Sequence, residues 1–90
     1  MTYKLNFLEQ AKQDLDWFRR NDKPSYIKCF DLVREISETP RDGTGKPERL
    51  KYLPGEVYSR RVNHNDRLVY SIIEKINEID ISSCRSHYGD

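Results

Sequence analysis

Two cysteines in 90 residues, Cys29 and Cys84, cannot make a disulfide framework, and neither sits in a metal-binding spacing. They read as buried small hydrophobes rather than reactive groups. Long apolar runs are also missing: nothing approaches the roughly 20 residues that span a bilayer. Lys4, Asn6, Glu9 and Gln10 interrupt any apolar stretch at the N-terminus, so no signal peptide is expected and the cytoplasm is the expected location. Four glycines include no phosphate-cradling loop; Gly43-Thr44-Gly45 reads as a turn. No Cys/His cluster has metal-ligand spacing, so no metal and no cofactor are expected. Net charge is nearly absent too, with 16 Lys+Arg against 15 Asp+Glu. That balance excludes a protein that coats nucleic acid by bulk charge.

What is present is local. Residues 46–67 hold six cations (Lys46, Arg49, Lys51, Arg60, Arg61, Arg67) against three anions (Glu48, Glu56, Asp66), which predicts a basic surface on a nearly neutral molecule. The chain ends in Cys84-Arg85-Ser86-His87-Tyr88-Gly89-Asp90, bringing a guanidinium, an imidazole and a phenol together. Upstream, Gly45-Lys46-Pro47-Glu48-Arg49-Leu50-Lys51 supplies a carboxylate flanked by cations.

Ninety residues make one domain, residues 1–90. Tyr3 to Phe7 alternates apolar and polar, predicting a short strand. Leu8, Ala11, Leu15 and Phe18 predict a helix over about 8–20, stopped at Asn21-Asp22. Pro24-Ser25 opens a second helix with the stripe Tyr26, Cys29, Phe30, Val33 and Ile36, ended by Thr39-Pro40. Residues 41–47 are a loop. Strands follow at about 48–53, 57–63, 67–74 and 77–85, turning at Pro54-Gly55 and at Asn63–Asp66. The fold class is therefore α+β: an N-terminal strand and two helices packed on one face of an antiparallel, twisted sheet, in the order βααβββ(β). Strand parity sets Leu68, Tyr70 and Ile72 against Arg67, Val69 and Ser71, and Tyr58, Arg60 and Val62 against Ser59 and Arg61. Arg61 and Arg67 then lie on the face away from the helices. In the last strand Ile79 and Ile81 share parity with Arg85 and His87, which requires either a bulge near Ser82–Cys84 or an end before His87.

These groups fit RNA cleavage. RNA carries its own nucleophile, the 2′-hydroxyl. A base must take that proton, cations must neutralise the crowded phosphate, and an acid must protonate the departing 5′-oxygen; each proton transfer is worth about 10²–10⁴-fold. Glu48 is the candidate base, His87 or Tyr88 the acid, and Arg67 with Arg61 the electrostatic clamp. Lys46 and Lys51 would hold neighbouring phosphates, and Arg60 and Arg85 complete the RNA-binding set. Each has a plainer reading: a solvated carboxylate, an exposed terminal histidine, arginines protecting a strand edge. Tyr52, Tyr58 and Tyr70 read as core or rim residues rather than base-stacking platforms, His64 as surface, and Trp17 as a packing or protein-contact residue.

Taken jointly, Gly45-Lys46-Pro47-Glu48-x-Leu50-Lys51, Tyr58-Ser59-Arg60-Arg61-Val62, Asp66-Arg67-Leu68-Val69-Tyr70 and Cys84-Arg85-x-His87-Tyr88 strongly resemble the YoeB/Txe toxins of the RelE superfamily, from bacterial type II toxin–antitoxin systems. The resemblance implies a RelE-like fold and a metal-independent, ribosome-dependent endoribonuclease that cuts mRNA in the decoding A site of the 70S ribosome. It implies Glu48 as general base, His87 as general acid, Arg67 as transition-state stabiliser and Tyr88 as the aromatic that orients substrate, with Lys51 and Arg61 at RNA-contacting positions. It also implies a YefM/Axe-like antitoxin in a separate chain, operator DNA bound only through the toxin–antitoxin complex, no membrane partner, and a homodimer among the assemblies expected. Family members often end at the His-Tyr pair, whereas this chain continues with Gly89-Asp90. Two other readings are a non-catalytic toxin on the same scaffold, of the gyrase-targeting type, and a ribosome- or RNA-binding module without activity.

Overall fold

The computed structural model describes residues 2–86. Strand β1 (Lys4–Phe7) leads into helix α1 (Glu9–Asn21), with acidic Glu9 in the first turn and Arg19 and Arg20 in the last, as the helix dipole favours. Asp22 alone separates α1 from α2 (Lys23–Glu38). Its backbone N–H closes α1 on the Phe18 carbonyl at 2.7 Å, and its carboxylate caps α2 by accepting from the Ser25 amide at 3.2 Å and hydroxyl at 2.7 Å. Pro24 sits in the first turn, where no helical N–H bond is lost. Helix α2 stops at Thr39, the residue before Pro40.

Four more strands follow: β2 (Glu48–Arg49), β3 (Glu56–Arg61), β4 (Arg67–Ile73) and β5 (Glu78–Ser83). Their order across the sheet is β1-β5-β4-β3-β2. Strands β2 to β5 are antiparallel, but β1 runs parallel to β5, pairing Leu5 with Ile79 and Phe7 with Ile81. The expected antiparallel sheet is thus mixed. Two strands far apart in sequence can pair in parallel because the whole intervening chain serves as the crossover. Asn6 fastens the pair by donating to Glu78 at 2.8 Å and Asp80 at 3.0 Å. The connection between β4 and β5, which carries no turn dipeptide, is a 3₁₀ turn over Glu74–Ile76 closed by Asn77 in the left-handed conformation (φ 58°), where asparagine is tolerated.

Both helices cover one face of the sheet. Ala11, Phe18, Cys29, Leu32, Val33 and Ile36 meet Val62, Leu68, Tyr70, Ile72, Ile79, Ile81 and Cys84 in one core. Parity near the end of β5 is settled by a bulge: Tyr70 pairs with Ile81 but Val69 with Ser83, leaving Ser82 as the extra residue. The strand ends at Ser83, and Cys84 turns into the core beside Cys29; the hydrogen bond between the two free thiols, and then burial, raise the Cys84 pKa. The segment after β5 is then clamped. Asp14, 2% exposed on the core side of α1, accepts the Cys84 amide at 2.8 Å and the Arg85 amide at 3.1 Å. The Arg85 guanidinium lies 3.7 Å from the Trp17 ring centre. Ser86 donates its amide to Asp66 at 3.1 Å and its hydroxyl to the Asn65 carbonyl at 2.8 Å.

The loop that follows α2 is wound around a buried cation. Arg60, 0% exposed, donates to the Tyr70 hydroxyl at 3.0 Å, to Glu35 at 2.5 Å, and to the carbonyls of Thr44 at 3.2 Å, Thr39 at 2.7 Å and Asp42 at 2.9 Å. Tyr70 in turn donates to the Pro40 carbonyl at 2.7 Å. Gly43, at φ 128°, leaves no room for a side chain: a Cβ there would fall 2.2 Å from a Glu35 oxygen. Arg60 was expected among the RNA contacts; instead it is the strut of this loop, because β3 parity turns it toward the helices and every donor of its planar fork finds an acceptor there. The Thr44 amide and hydroxyl, with Arg60, hold the Glu35 carboxyl below the usual carboxylate range. A depressed native pKa means that stability from Glu35 is complete above about pH 4.3 and is lost as pH falls through the native value. The stability difference between the parent and Glu35→Gln, read by urea unfolding, should therefore shrink between pH 7 and pH 3. A difference independent of pH would show that the ionised carboxylate contributes nothing.

Candidate active site

From Gly45, whose carbonyl accepts the Arg61 amide at 2.7 Å, the chain delivers Lys46 and Pro47 to the rim of the sheet. Strand β2 is two residues long rather than six, because at Leu50 the chain turns: the Leu50 amide still reaches the Val57 carbonyl at 2.8 Å, and the Leu53 amide bonds back to Leu50 at 3.2 Å. That short pairing is enough to set Glu48 opposite Ser59, while Arg61 stands opposite Arg67 on the neighbouring strand pair. Lys46, Pro47, Glu48, Ser59, Arg61 and Arg67 line a cleft of about 290 Å³ on the face away from the helices.

Three cations and one carboxylate share this cleft, yet among the described residues no salt bridge joins Glu48 to any of them. Like charges directly opposite one another on a sheet destabilise it. The Arg61–Arg67 pair is thus a cost to folding that an anionic ligand would relieve. Arg67 is oriented from behind, donating to the carbonyls of Asp66 at 3.2 Å and Asn63 at 3.4 Å. That turn is itself rigid: the Asn63 side-chain oxygen accepts the amides of Asn65 and Asp66, both at 2.8 Å, and its nitrogen donates to Ser25 at 2.8 Å. The same turn binds Ser86, so the chain just before the expected acid is fixed to the element that presents Arg67. His87 and Tyr88 themselves lie outside the described residues.

The structure therefore gathers Lys46, Glu48, Arg61 and Arg67. It does not gather three other expected RNA contacts. Arg60 is buried, Arg85 is stacked on Trp17, and Lys51 is exposed on the turn after β2, lining neither this cleft nor its neighbour. Ser59, on the cleft floor, was missed as a site residue, although its parity with Arg61 marked it. A second hollow, about 450 Å³, adjoins the first and shares Glu48, Ser59 and Arg67 with it; Leu50, Tyr52, Leu53 and Val69 complete its lining. Tyr58 and Tyr70 stack within the fold as expected, but Tyr52 is 79% exposed. Among the described residues, no three His, Cys, Asp or Glu side chains converge as a metal site, and no helix is long and apolar enough to cross a membrane.

Comparison with known proteins agrees with this architecture. A YoeB toxin from Synechocystis is 41% identical over 85 residues, covering 94% of this chain and 96% of that protein. The structure described as a YoeB dimer from Staphylococcus aureus superposes with a TM-score of 0.83 at 41% identity, covering 98% of this chain and 100% of that one. The YoeB–YefM complex from the same organism gives a TM-score of 0.80 at 40% identity, with the same coverage. The family model for the YoeB-like toxin of bacterial type II toxin–antitoxin systems matches residues 7–88, which takes in every element from the end of β1 to the C-terminal His-Tyr pair. A match of that extent, on a fold shared with solved YoeB structures, places this chain in the YoeB-like toxin family.

Proposed function

We propose that this toxin is an endoribonuclease that cuts mRNA in the ribosomal A site by general acid–base catalysis. The observation that carries the reading is the Glu48 carboxylate, exposed and without an ion pair among the described residues, in one cleft with Lys46, Arg61 and Arg67. A carboxylate bound to one of those cations would have its oxygens engaged, whereas one without such a partner presents them to a substrate hydroxyl. A carboxylate kept for chemistry must be free to take a proton.

In the proposed reaction, Glu48 removes the proton of the 2′-hydroxyl, whose oxygen attacks the adjacent phosphorus. The bond from phosphorus to the 5′-oxygen breaks, His87 gives that oxygen its proton, and a 2′,3′-cyclic phosphate remains. Arg67 and Arg61 neutralise the charge that gathers on the non-bridging oxygens, and Tyr88 orients the substrate. Atoms and protons balance with protein groups alone, so the step is proposed as metal-independent. Lys46 holds a neighbouring phosphate, and Lys51, on the adjoining turn, reaches the backbone further along the strand. The proposal extends to dependence on the ribosome, operator binding through a toxin–antitoxin complex and a cytoplasmic site of action; a YefM-type antitoxin as the neutralising partner is supported by the similarity to the YoeB–YefM complex of S. aureus.

The acid assignment has a direct test. Cleavage should follow a bell-shaped pH profile, because the base must be ionised while the acid is protonated. His87→Gln should lower the rate by about 10²–10⁴-fold and abolish the alkaline limb. Full cleavage by His87→Gln, with both limbs intact, would remove His87 from the mechanism.

A further inference from the structure

The hollow beside the cationic cleft differs from it in kind. On one side of the shared residues Glu48, Ser59 and Arg67 stand Lys46 and Arg61; on the other stand Leu50, Tyr52, Leu53 and Val69. A ligand that fills both must carry an anion and an apolar face within one short covalent span. A nucleotide has that form. We propose that the hollow is a nucleobase subsite, in which Tyr52 stacks on the base of a nucleotide whose phosphate lies against Arg61 and Arg67.

Several observations converge on Tyr52. Several other rings among the described residues are engaged: Tyr58 lies stacked on Tyr70 with ring centres 5.9 Å apart, Tyr26 meets Phe30 edge-on at 5.0 Å, and Trp17 holds the Arg85 cation. No ring or cation contact is made by Tyr52 among the described residues, and Leu53 beside it is 37% exposed. The turn that carries them is not loose, since its ends are tied by the Leu50–Val57 and Leu53–Leu50 backbone bonds. An apolar ring held out on a braced turn, at the mouth of a hollow of about 450 Å³, is arranged to meet a flat partner. Stacking is tolerant of sequence because every base has a π-face, so the subsite would grip any codon and leave finer selection to the groups around it. The proposal rests on the reading of the cationic cleft as the place of the scissile phosphate.

The test is a titration of the isolated toxin with a 2′-deoxy dinucleotide, which cannot be cleaved, followed by NMR at the Tyr52 ring, the Leu53 and Val69 methyls and the Arg67 side chain. The dinucleotide should move all four together. An analogue lacking one base should bind about 5- to 100-fold more weakly. Tyr52→Ala should weaken the dinucleotide by the same factor and then be indifferent to the missing base, whereas Tyr52→Phe should bind as the parent does. The proposal is overturned if the base matters equally to the parent and to Tyr52→Ala. Shifts at Arg67 alone, or none at millimolar dinucleotide, would overturn it too. An acidic peptide with an aromatic side chain that moves these resonances where the dinucleotide does not would assign the hollow to a protein partner, again against the proposal. None of these results touches cleavage itself: loss of the subsite with Glu48-dependent cleavage intact would leave the nuclease standing, and base-dependent binding without Glu48-dependent cleavage would do the reverse.

Discussion

Glu48→Gln should slow single-turnover mRNA cleavage by about 10²–10⁴-fold while leaving the unfolding transition where it was. The two halves of that expectation come from the same geometry. Glu48 is exposed, lies in a two-residue strand held by backbone pairing, and makes no ion pair or side-chain hydrogen bond among the described residues, so an isosteric amide disturbs none of their contacts of that kind. Surface changes of this kind usually stay within about 0.5 kcal/mol. What glutamine cannot do is accept the 2′-hydroxyl proton. Removing the single carboxylate among Lys46, Arg61 and Arg67 should also leave RNA affinity unchanged or higher, since a repulsion with phosphate is gone. Unimpaired cleavage by a folded Glu48→Gln protein would show that the base lies elsewhere.

Arg60→Met should have the opposite signature: a loss of about 3–5 kcal/mol in stability, with activity falling because the fold and its loop fail. Methionine fills much of the volume but leaves Glu35, the Tyr70 hydroxyl and the carbonyls of Thr39, Asp42 and Thr44 without their donor. Against a total stability of roughly 5–15 kcal/mol for a small domain, that is a large fraction. Arg60→Lys should also destabilise, because an ammonium cannot serve acceptors spread around a planar fork. Urea midpoints separate this role from an RNA contact. If Arg60→Lys matched the parent in stability and lost only RNA affinity, the strut assignment would be wrong.

Arg60 also shows how far the sequence was legible. The alternation of β3 already placed it with Tyr58 and Val62, toward the helices, but an arginine is so commonly exposed that composition argued the other way. Only the acceptors assembled by the 39–45 loop explain why a charge belongs there, and a loop's carbonyl directions are not written in residue types. Asp14 is a similar case. It falls between Ala11 and Phe18 on the apolar stripe of α1, a buried-charge signal that is easily read as a solvated acid, because its partners, the Cys84 and Arg85 amides, are some 70 residues away.

Elements governed by local rules fared better. The helix bounds followed from the Asn21-Asp22 turn signal, from Pro24-Ser25 as an opening and from Pro40 as a stop, and the alternation of β4 gave both its core row and the outward Arg67. Pairing set at long range did not, since β1 joins β5 in parallel, and although the parity of Ile79 and Ile81 with Arg85 and His87 demands a bulge or an early end to the strand, only the pairing with β4 decides for the bulge at Ser82. The carboxylate and arginines of the cleft were legible because chemistry restricts them to few residue types. The hollow beside it was not, since Leu50, Tyr52, Leu53 and Val69 are ordinary residues until the turn at Leu50 folds them against Arg67.

The central claim, that the cationic cleft is a ribosome-dependent nuclease site, is tested most directly in vitro. Purified toxin, Glu48→Gln and His87→Gln would each be added to 70S ribosomes stalled with a defined codon in the A site, and the mRNA 5′ ends mapped. The account predicts a cut within that codon by the parent, leaving a 2′,3′-cyclic phosphate, and almost none by either variant. Equal cutting by all three proteins, or growth arrest by all three in cells with no cut in the A-site codon, would contradict it.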